Sequence, residues 1–194
     1  MSGEERLSGL VAFLGEAARL KDTLRSGFTN EGRSESVADH TWRLCLLAML
    51  IARDRPEIDQ LKLLQLCIVH DLGEALSGDV PAIRQSADDD KASRERVDLN
   101  TLCAALGEDQ RAYIMSLHDE YEAAQTPEAI LAKGLDKLET IFQHAIGANP
   151  PDFDYGFNLS YGTAATGRDP MLQALRRLAD QATQRRMVST DQSI

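Results

Sequence analysis

The sequence has little cysteine, few aromatic residues, a deficit of positive charge and no long apolar run, and each shortage removes a class of protein. Its three cysteines, Cys45, Cys67 and Cys103, are odd in number, far apart and set among apolar neighbours. That pattern excludes a disulfide framework and reads as free, buried thiols in a reducing compartment. No segment approaches the ~20 apolar residues that span a bilayer. The N-terminal Met1-Ser2-Gly3-Glu4-Glu5 carries acids where a signal peptide carries a basic stretch and an apolar run. No membrane partner is expected, and the expected compartment is the cytoplasm. With 21 Lys and Arg against 31 Asp and Glu, the formal net charge is −10. A field of that sign repels polyanions over its long range, so duplex nucleic acid is not an expected partner. A small phosphate ester remains admissible, because one cation and a few Arg or Lys side chains reverse the potential locally.

Sustained alternation of β-branched residues is also missing, so no sheet of consequence is expected. Helical spacing is what the sequence has in its place. An apolar share of 43% and a charged share of 27% describe a globular chain, and 194 residues suffice for one continuous core, so a single domain over 1–194 is expected. Over 4–20, Leu7, Leu10, Val11, Leu14, Ala17 and Ala18 form one apolar stripe. Residues 25–33, with two glycines and an Asn, read as an irregular loop. Ser34 or Ser36 caps a second helix that passes through His40 and stops before Arg55-Pro56. Its expected buried side is Leu44, Leu47, Ala48 and Ile51, with Trp42 in core packing. A third helix is expected over 59–77, and its apolar run at 61–69 predicts burial round most of its circumference, as a central helix. The stretch 78–92, with Pro81 and Asp88-Asp89-Asp90, reads as a solvated excursion. Helices follow over 91–106, 108–124 and 126–146, the last opened by Thr126-Pro127. Residues 152–170 lack periodicity, and an amphipathic helix over 171–185 comes last.

His70-Asp71 stands at the polar end of the most apolar segment, where two adjacent ionisable groups are costly unless something satisfies them. A cation does so, and imidazole nitrogen with carboxylate oxygen suits a divalent ion of intermediate hardness. Alone, the dipeptide is weak evidence, since a lone histidine on a largely apolar helix is more often a hydrogen-bonded core residue than a ligand. Glu74 follows His70 by four residues, which on a continuing helix places it on the same face one turn on. The plain alternative is a solvated helix-end glutamate. Asp79, after Gly78, fits a turn or a cap as readily as a site. His118 and His144 have no ligand-like partners in spacing and read as surface or supporting residues.

The stretches Arg25-Ser26-Gly27-Phe28, Glu35-Ser36-Val37-Ala38-Asp39-His40 and His70-Asp71-Leu72-Gly73-Glu74 with Gly78-Asp79-Val80 occur in that order. Glu120-Tyr121-Glu122 with Thr126-Pro127-Glu128-Ala129, and then Asp136-Lys137-Leu138-Glu139, complete the set. Together they resemble the HD-domain phosphohydrolases, in particular the branch that contains 5′-deoxynucleotidases. The resemblance implies an all-α, HD-domain helical bundle with a metal-site core over about 34–146 and a C-terminal loop and helix over about 147–186. It implies one divalent ion (Mn²⁺, Co²⁺, Fe²⁺, Mg²⁺ or Zn²⁺) held by His40, His70, Asp71 and Asp136. It assigns acid/base work to Glu74, with Asp79 as a second catalytic carboxylate near the leaving group. Arg25 corresponds to a phosphate-binding arginine, a role suited to its planar fork of donors. Phe28 stands where the family usually has tryptophan and offers an apolar face to a sugar or base. Lys137 adds positive charge beside Asp136.

The implied reaction releases phosphate from a 5′-deoxynucleoside monophosphate by attack of ion-activated water. Fold and ligand set do not fix the ester, so a phosphodiesterase, a nucleotide pyrophosphohydrolase and a non-catalytic nucleotide- or metal-binding module stand as alternatives. A small-molecule nucleotide is the expected ligand, and a spare apolar helix face makes a homodimer the expected assembly.

Overall fold

In the computed structural model, which describes residues 2–80 and 91–191, helix ends follow local capping chemistry. Helix α1 (Gly3–Ala17) opens on a capping box of Ser2 and Glu5 and tightens into a 3-10 turn over Ala18–Lys21. Helix α2 (Val37–Ala52) opens on a second capping box, in which the Ser36 hydroxyl accepts from the Asp39 backbone and the Asp39 carboxylate accepts from the Ser36 backbone. Asp59 caps α3 (Gln60–Val69). Thr126, with proline at the first helical position, caps α7 (Pro127–Ile146). Between them run α4 (Glu74–Ser77), α5 (Lys91–Leu102) and α6 (Glu108–Ala123), and after them come α8 (Thr163–Thr166) and α9 (Pro170–Asp191). The Asp88-Asp89-Asp90 run and Pro81 lie outside the described residues.

The chain departs from the sequence expectation in five places. The segment read as an irregular loop is a hairpin, β1 (Leu24–Phe28) pairing antiparallel with β2 (Ser34–Ser36). Gly32 takes φ +83° in the connection, a conformation glycine adopts without steric cost, and strands this short show no alternation. The helix expected over 59–77 breaks at 70–73, where i to i+3 hydrogen bonds from Leu72 to Val69 and from Glu74 to Asp71 tighten the chain before α4. The break lets Gly73 lie against α5, since a Cβ on Gly73 would sit 2.6 Å from the Glu95 carbonyl oxygen.

Burial on α1, α2 and α3 also differs from expectation. On α2, the faces of Val37, His40, Leu44, Ala48 and Ala52 fill the buried side, which turns Trp42, Leu46, Met49 and Leu50 outward. Trp42 is 68% exposed and packs in no core, because the helix has more apolar residues than one face can bury. On α1, Leu10, Phe13 and Ala17 face the core while Leu7, Val11 and Leu14 are exposed. Leu61 and Ile68 of α3 are exposed as well, so α3 is not the central helix. That place belongs to α7, which is flanked by α2, α3, α6, α9 and β1 and buries Leu131, Leu135, Leu138 and Ile141 completely or nearly so. Cys67 and Cys103 are buried, Cys45 is half-buried, and all three are free thiols. No described helix is long and apolar enough to cross a membrane.

The Gly73 contact makes a stability prediction. Gly73→Ala forces the turn that carries His70 and Asp71 away from α5 and should cost about 1–3 kcal/mol, the usual scale of overpacking against a fixed backbone. Urea unfolding of the full chain reads this directly, and an unchanged midpoint contradicts the close approach.

Candidate metal centre

The break after α3 brings His70 and Asp71 to face His40 of α2 and Asp136 of α7. The His70 Nε2 atom lies 3.0 Å from Asp71 Oδ2 and 3.9 Å from Asp136 Oδ1. The His40 Nε2 atom lies 3.3 Å from Asp136 Oδ1 and 3.9 Å from Asp71 Oδ2. The two imidazole centroids are 5.5 Å apart, and both histidines and Asp136 are buried while Asp71 keeps slight exposure.

Each imidazole is oriented through its other nitrogen. His70 Nδ1 donates to the Cys67 carbonyl at 2.8 Å, and a carbonyl can only accept, so that nitrogen carries the proton. His40 Nδ1 donates to the Glu139 carboxylate. Burial works against the Glu139 charge, but His40 and Arg43 hold its carboxyl below its usual range, so it too is an acceptor. In its neutral form each ring therefore directs an Nε2 lone pair toward the carboxylates of Asp71 and Asp136, and both Nε2 atoms are buried without a hydrogen-bond partner among the described residues. Two orphaned acceptors facing two carboxylates make an expensive arrangement in a buried site unless a cation lies among them. His40, His70 and Asp71 have ligand atoms close enough together to share one ion, and Asp136 Oδ1 is within reach of both imidazoles. The donor set fits a divalent metal.

The carboxylates are held as well. Asp136 Oδ2 accepts from the Tyr121 hydroxyl at 2.8 Å and pairs with Lys137 Nζ at 2.8 Å, leaving Oδ1 on the histidine side. Arg25 reaches Asp71 Oδ2 at 3.3 Å through one terminal nitrogen and the Thr140 hydroxyl at 2.9 Å through the other, with Glu35 3.5 Å from its Nε. Burial works against the Asp71 charge, yet His70 and Arg25 hold its carboxyl well below the usual carboxylate range. Asp136 is lowered in the same way, against burial, by Lys137, His40 and His70. Burial and Arg25 would hold the His40 imidazole down, but Glu139 and Asp136 outweigh them and push it up to about 9. Burial and the nearby Glu139 charge push Glu35 up to about 7, against Arg25, His40 and Arg43.

The remaining residues expected from sequence occupy the surroundings. Glu74 is buried at the first position of α4, and Asp79 is half-buried. Asp79 lines a groove of about 560 Å³ with Arg19, Asp22, Thr23, Leu24 and Leu76, and its charge is felt at Arg25. Phe28 ends β1, and its carbonyl accepts from the Gln143 amide at 2.6 Å. The Lys137 ammonium lies over the Tyr161 ring, 5.5 Å from its centroid. His118 and His144 are not surface residues: both are buried, His144 Nδ1 lies 2.8 Å from the Asn158 amide oxygen, and neither His118 nitrogen has a hydrogen-bond partner among the described residues. Sequence reasoning assigned no role to Glu35, Arg43, Tyr121, Glu139 or Thr140. A signal for Glu139 was available, since it follows Asp136 by three residues and so shares its helix face.

With this geometry in hand, residues 17–176 match the HD domain family. The chain is 35% identical over 149 residues to the 5′-deoxynucleotidase HDDC2 of Dictyostelium discoideum, spanning 71% of this chain and 76% of that protein. It is also 35% identical over 149 residues to the 5′-deoxynucleotidase hdd1 of Schizosaccharomyces pombe, spanning 74% of each. The fold superposes on the crystal structure of a predicted metal-dependent phosphohydrolase from Magnetospirillum magnetotacticum MS-1 with a TM-score of 0.76 and 27% identity, covering 93% of this chain and 97% of that one.

The buried charges set a pH dependence in the ion-free protein. Glu35 and His40 both hold a proton more tightly folded than unfolded, so their contributions stand at low pH and are lost as pH rises, the first between 4.5 and about 7 and the second between 6.5 and about 9. Asp71 and Asp136 have the opposite sign, contributing above the ordinary carboxylate pKa of 3.8 and losing that contribution on acidification below it. Chelator-treated protein should therefore lose stability from pH 6.5 to 9 in urea unfolding, and His40→Gln should flatten that slope. A stability that rises through this window contradicts the assignment.

Proposed function

The chain belongs to the HD-domain family, and we propose that it is a metal-dependent phosphohydrolase releasing inorganic phosphate from 5′-deoxynucleoside monophosphates. The observation that carries this reading is the pair of buried imidazole Nε2 atoms, without hydrogen-bond partners among the described residues, aimed at Asp71 and Asp136. The substrate follows from the relatives named 5′-deoxynucleotidases. His40, His70, Asp71 and Asp136 hold one divalent ion in this proposal, and the donor types admit Mn²⁺, Co²⁺, Fe²⁺, Mg²⁺ or Zn²⁺. A bound ion of this kind withdraws charge from phosphoryl oxygens and lowers the pKa of water.

The chain's own groups do the rest. Arg25 and Lys137 offset negative charge at the phosphoryl group, each already placed beside a carboxylate of the ligand set. Glu74 accepts the proton of the attacking water as the new P–O bond forms, and its burial keeps that proton from bulk solvent. The bond from phosphorus to the 5′ oxygen breaks, and the proton that Glu74 took from the water passes to that oxygen, which leaves as the nucleoside hydroxyl on the side where Asp79 lines the groove, so Glu74 is again ionised. The groove's volume lies in the range of small-molecule sites, and Phe28, which ends β1 and does not line that groove, is assigned the sugar or base by the apolar character of its ring.

We read the chain as one HD domain, since the matched region runs through α9's first turns and α9 packs along α7. The exposed stripe of Trp42, Leu46, Met49 and Leu50 supports a homodimer, and the free thiols support a cytoplasmic setting.

A substrate panel tests the activity. Deoxynucleoside and ribonucleoside monophosphates, a nucleoside triphosphate and bis(p-nitrophenyl) phosphate are incubated with protein loaded with Mn²⁺ or Co²⁺, and products are identified. Inorganic phosphate from the deoxynucleoside monophosphates, abolished by chelator, is expected; pyrophosphate release or preferential diester cleavage contradicts the proposal. Glu74→Gln should keep ion content and nucleotide affinity while turnover falls by ~10² or more, the usual scale for a lost acid/base group. Loss of the ion would make Glu74 a ligand, and unchanged turnover would remove it from the mechanism.

A further inference from the structure

The two proposed histidine ligands are oriented by different chemistry. His70 Nδ1 donates to a neutral backbone carbonyl, that of Cys67. His40 Nδ1 donates to a carboxylate, Glu139 Oε2, which is 1% exposed and comes from a different helix 99 residues away. The other oxygen, Oε1, pairs with Arg43 Nε at 2.6 Å, and a terminal nitrogen of Arg43 donates to the Glu139 backbone carbonyl at 3.0 Å. Arg43 also donates to the Gln143 side-chain oxygen, and the Gln143 amide donates to the Phe28 carbonyl on β1. A chain of hydrogen bonds thus runs from the hairpin through Gln143, Arg43 and Glu139 to His40.

On this geometry we propose that Glu139, clamped by Arg43, is a positioning residue that fixes the His40 tautomer and ring plane so that Nε2 faces the ion. The proposal rests on the reading of His40 as a metal ligand. The two helices make this device between them: His40 and Arg43 stand three residues apart on α2, and Glu139 and Gln143 stand four apart on α7, so each pair presents one face. Ionised acceptors make the stronger partner for an imidazole N–H, and an imidazole held this way is the better metal donor. A neutral His40 released from Glu139 is free to place its proton on Nε2, the atom required for coordination. Arg43 in turn keeps the Glu139 charge from being stranded in the bundle.

The test uses the full chain loaded with Zn²⁺, which is diamagnetic, alongside calorimetric titration of the chelator-treated protein with Zn²⁺ at one pH. Glu139→Ala should weaken Zn²⁺ binding by ~10–100-fold, the usual scale for losing a residue that orients a ligand. Glu139→Gln keeps an acceptor without the charge and should recover part of that loss. In the NMR spectrum of the Zn²⁺-loaded protein, the downfield His40 Nδ1 proton should vanish or move upfield in Glu139→Ala, whereas the His70 Nδ1 proton, bonded to Cys67, stays in place. Circular dichroism confirms that each variant folds, and Glu139→Gln stands in if Glu139→Ala does not. Wild-type affinity with an unmoved His40 proton in a folded Glu139 variant overturns the proposal while leaving the ligand reading intact. Wild-type Zn²⁺ affinity in His40→Ala overturns the ligand reading itself, and the proposal with it.

Discussion

The structure depends on how the carboxylates on the buried face of α7 are compensated. Asp136 and Glu139 lie about one turn apart on the helix at the centre of the bundle, 3% and 1% exposed, and Glu35 brings a third buried acid close by. Charges this deep stand only if each is met. Asp136 is met on one oxygen by Tyr121 and Lys137, while its other oxygen faces the two imidazoles and the proposed ion; Glu139 is met by His40 and Arg43; Glu35 is met by Arg25. Helices α2 and α6, the turn after α3 and strand β1 each contribute a partner, so the packing of the bundle and the assembly of the site are one problem.

That arrangement explains the placing of the hairpin. Arg25 leaves β1 and spans Glu35, Asp71 and Thr140, while the carbonyl of Phe28, at the end of the same strand, is tied to Gln143. The strand is therefore fastened to α7 at both ends, and a positive group is delivered to the edge of the ligand set. Gly147 serves the same contact, since a Cβ there would run into the Phe28 carbonyl. The C-terminal segment is secured separately: Arg176 on α9 donates to the carbonyls of Asn158, Leu159 and Tyr161, and Tyr161 faces the Lys137 ammonium.

Signals that act within one turn of helix were legible in the sequence. Ser36, one of the two serines expected to cap α2, and Thr126 open their helices, and His70-Asp71 ends an apolar run where two ionisable groups need a partner. The helical fold and the residues brought to one point were legible for that reason and through the family resemblance. Choices between two apolar faces were not. Trp42 and Leu44 are equally apolar, and only the neighbouring helices decide that Leu44 goes in and Trp42 out. The hairpin was illegible because strands of five and three residues offer no period, and the break at 70–73 because the close approach to α5 that it allows leaves no local period. The partners of the ligands were illegible as partners: Glu139 meets His40 across 99 residues of chain, and Tyr121 meets Asp136 from the preceding helix.

The central claim is that one divalent ion is held by His40, His70, Asp71 and Asp136. A second group of carboxylates and imidazole, Glu35, His40 and Glu139, is close enough together to compete for it. Anomalous diffraction from a crystal of the Mn²⁺-loaded protein separates the two. The account predicts one peak about 2.0–2.3 Å from His40 Nε2, His70 Nε2 and an oxygen of each of Asp71 and Asp136. A peak on the Nδ1 side of His40, between Glu35 and Glu139, would contradict it.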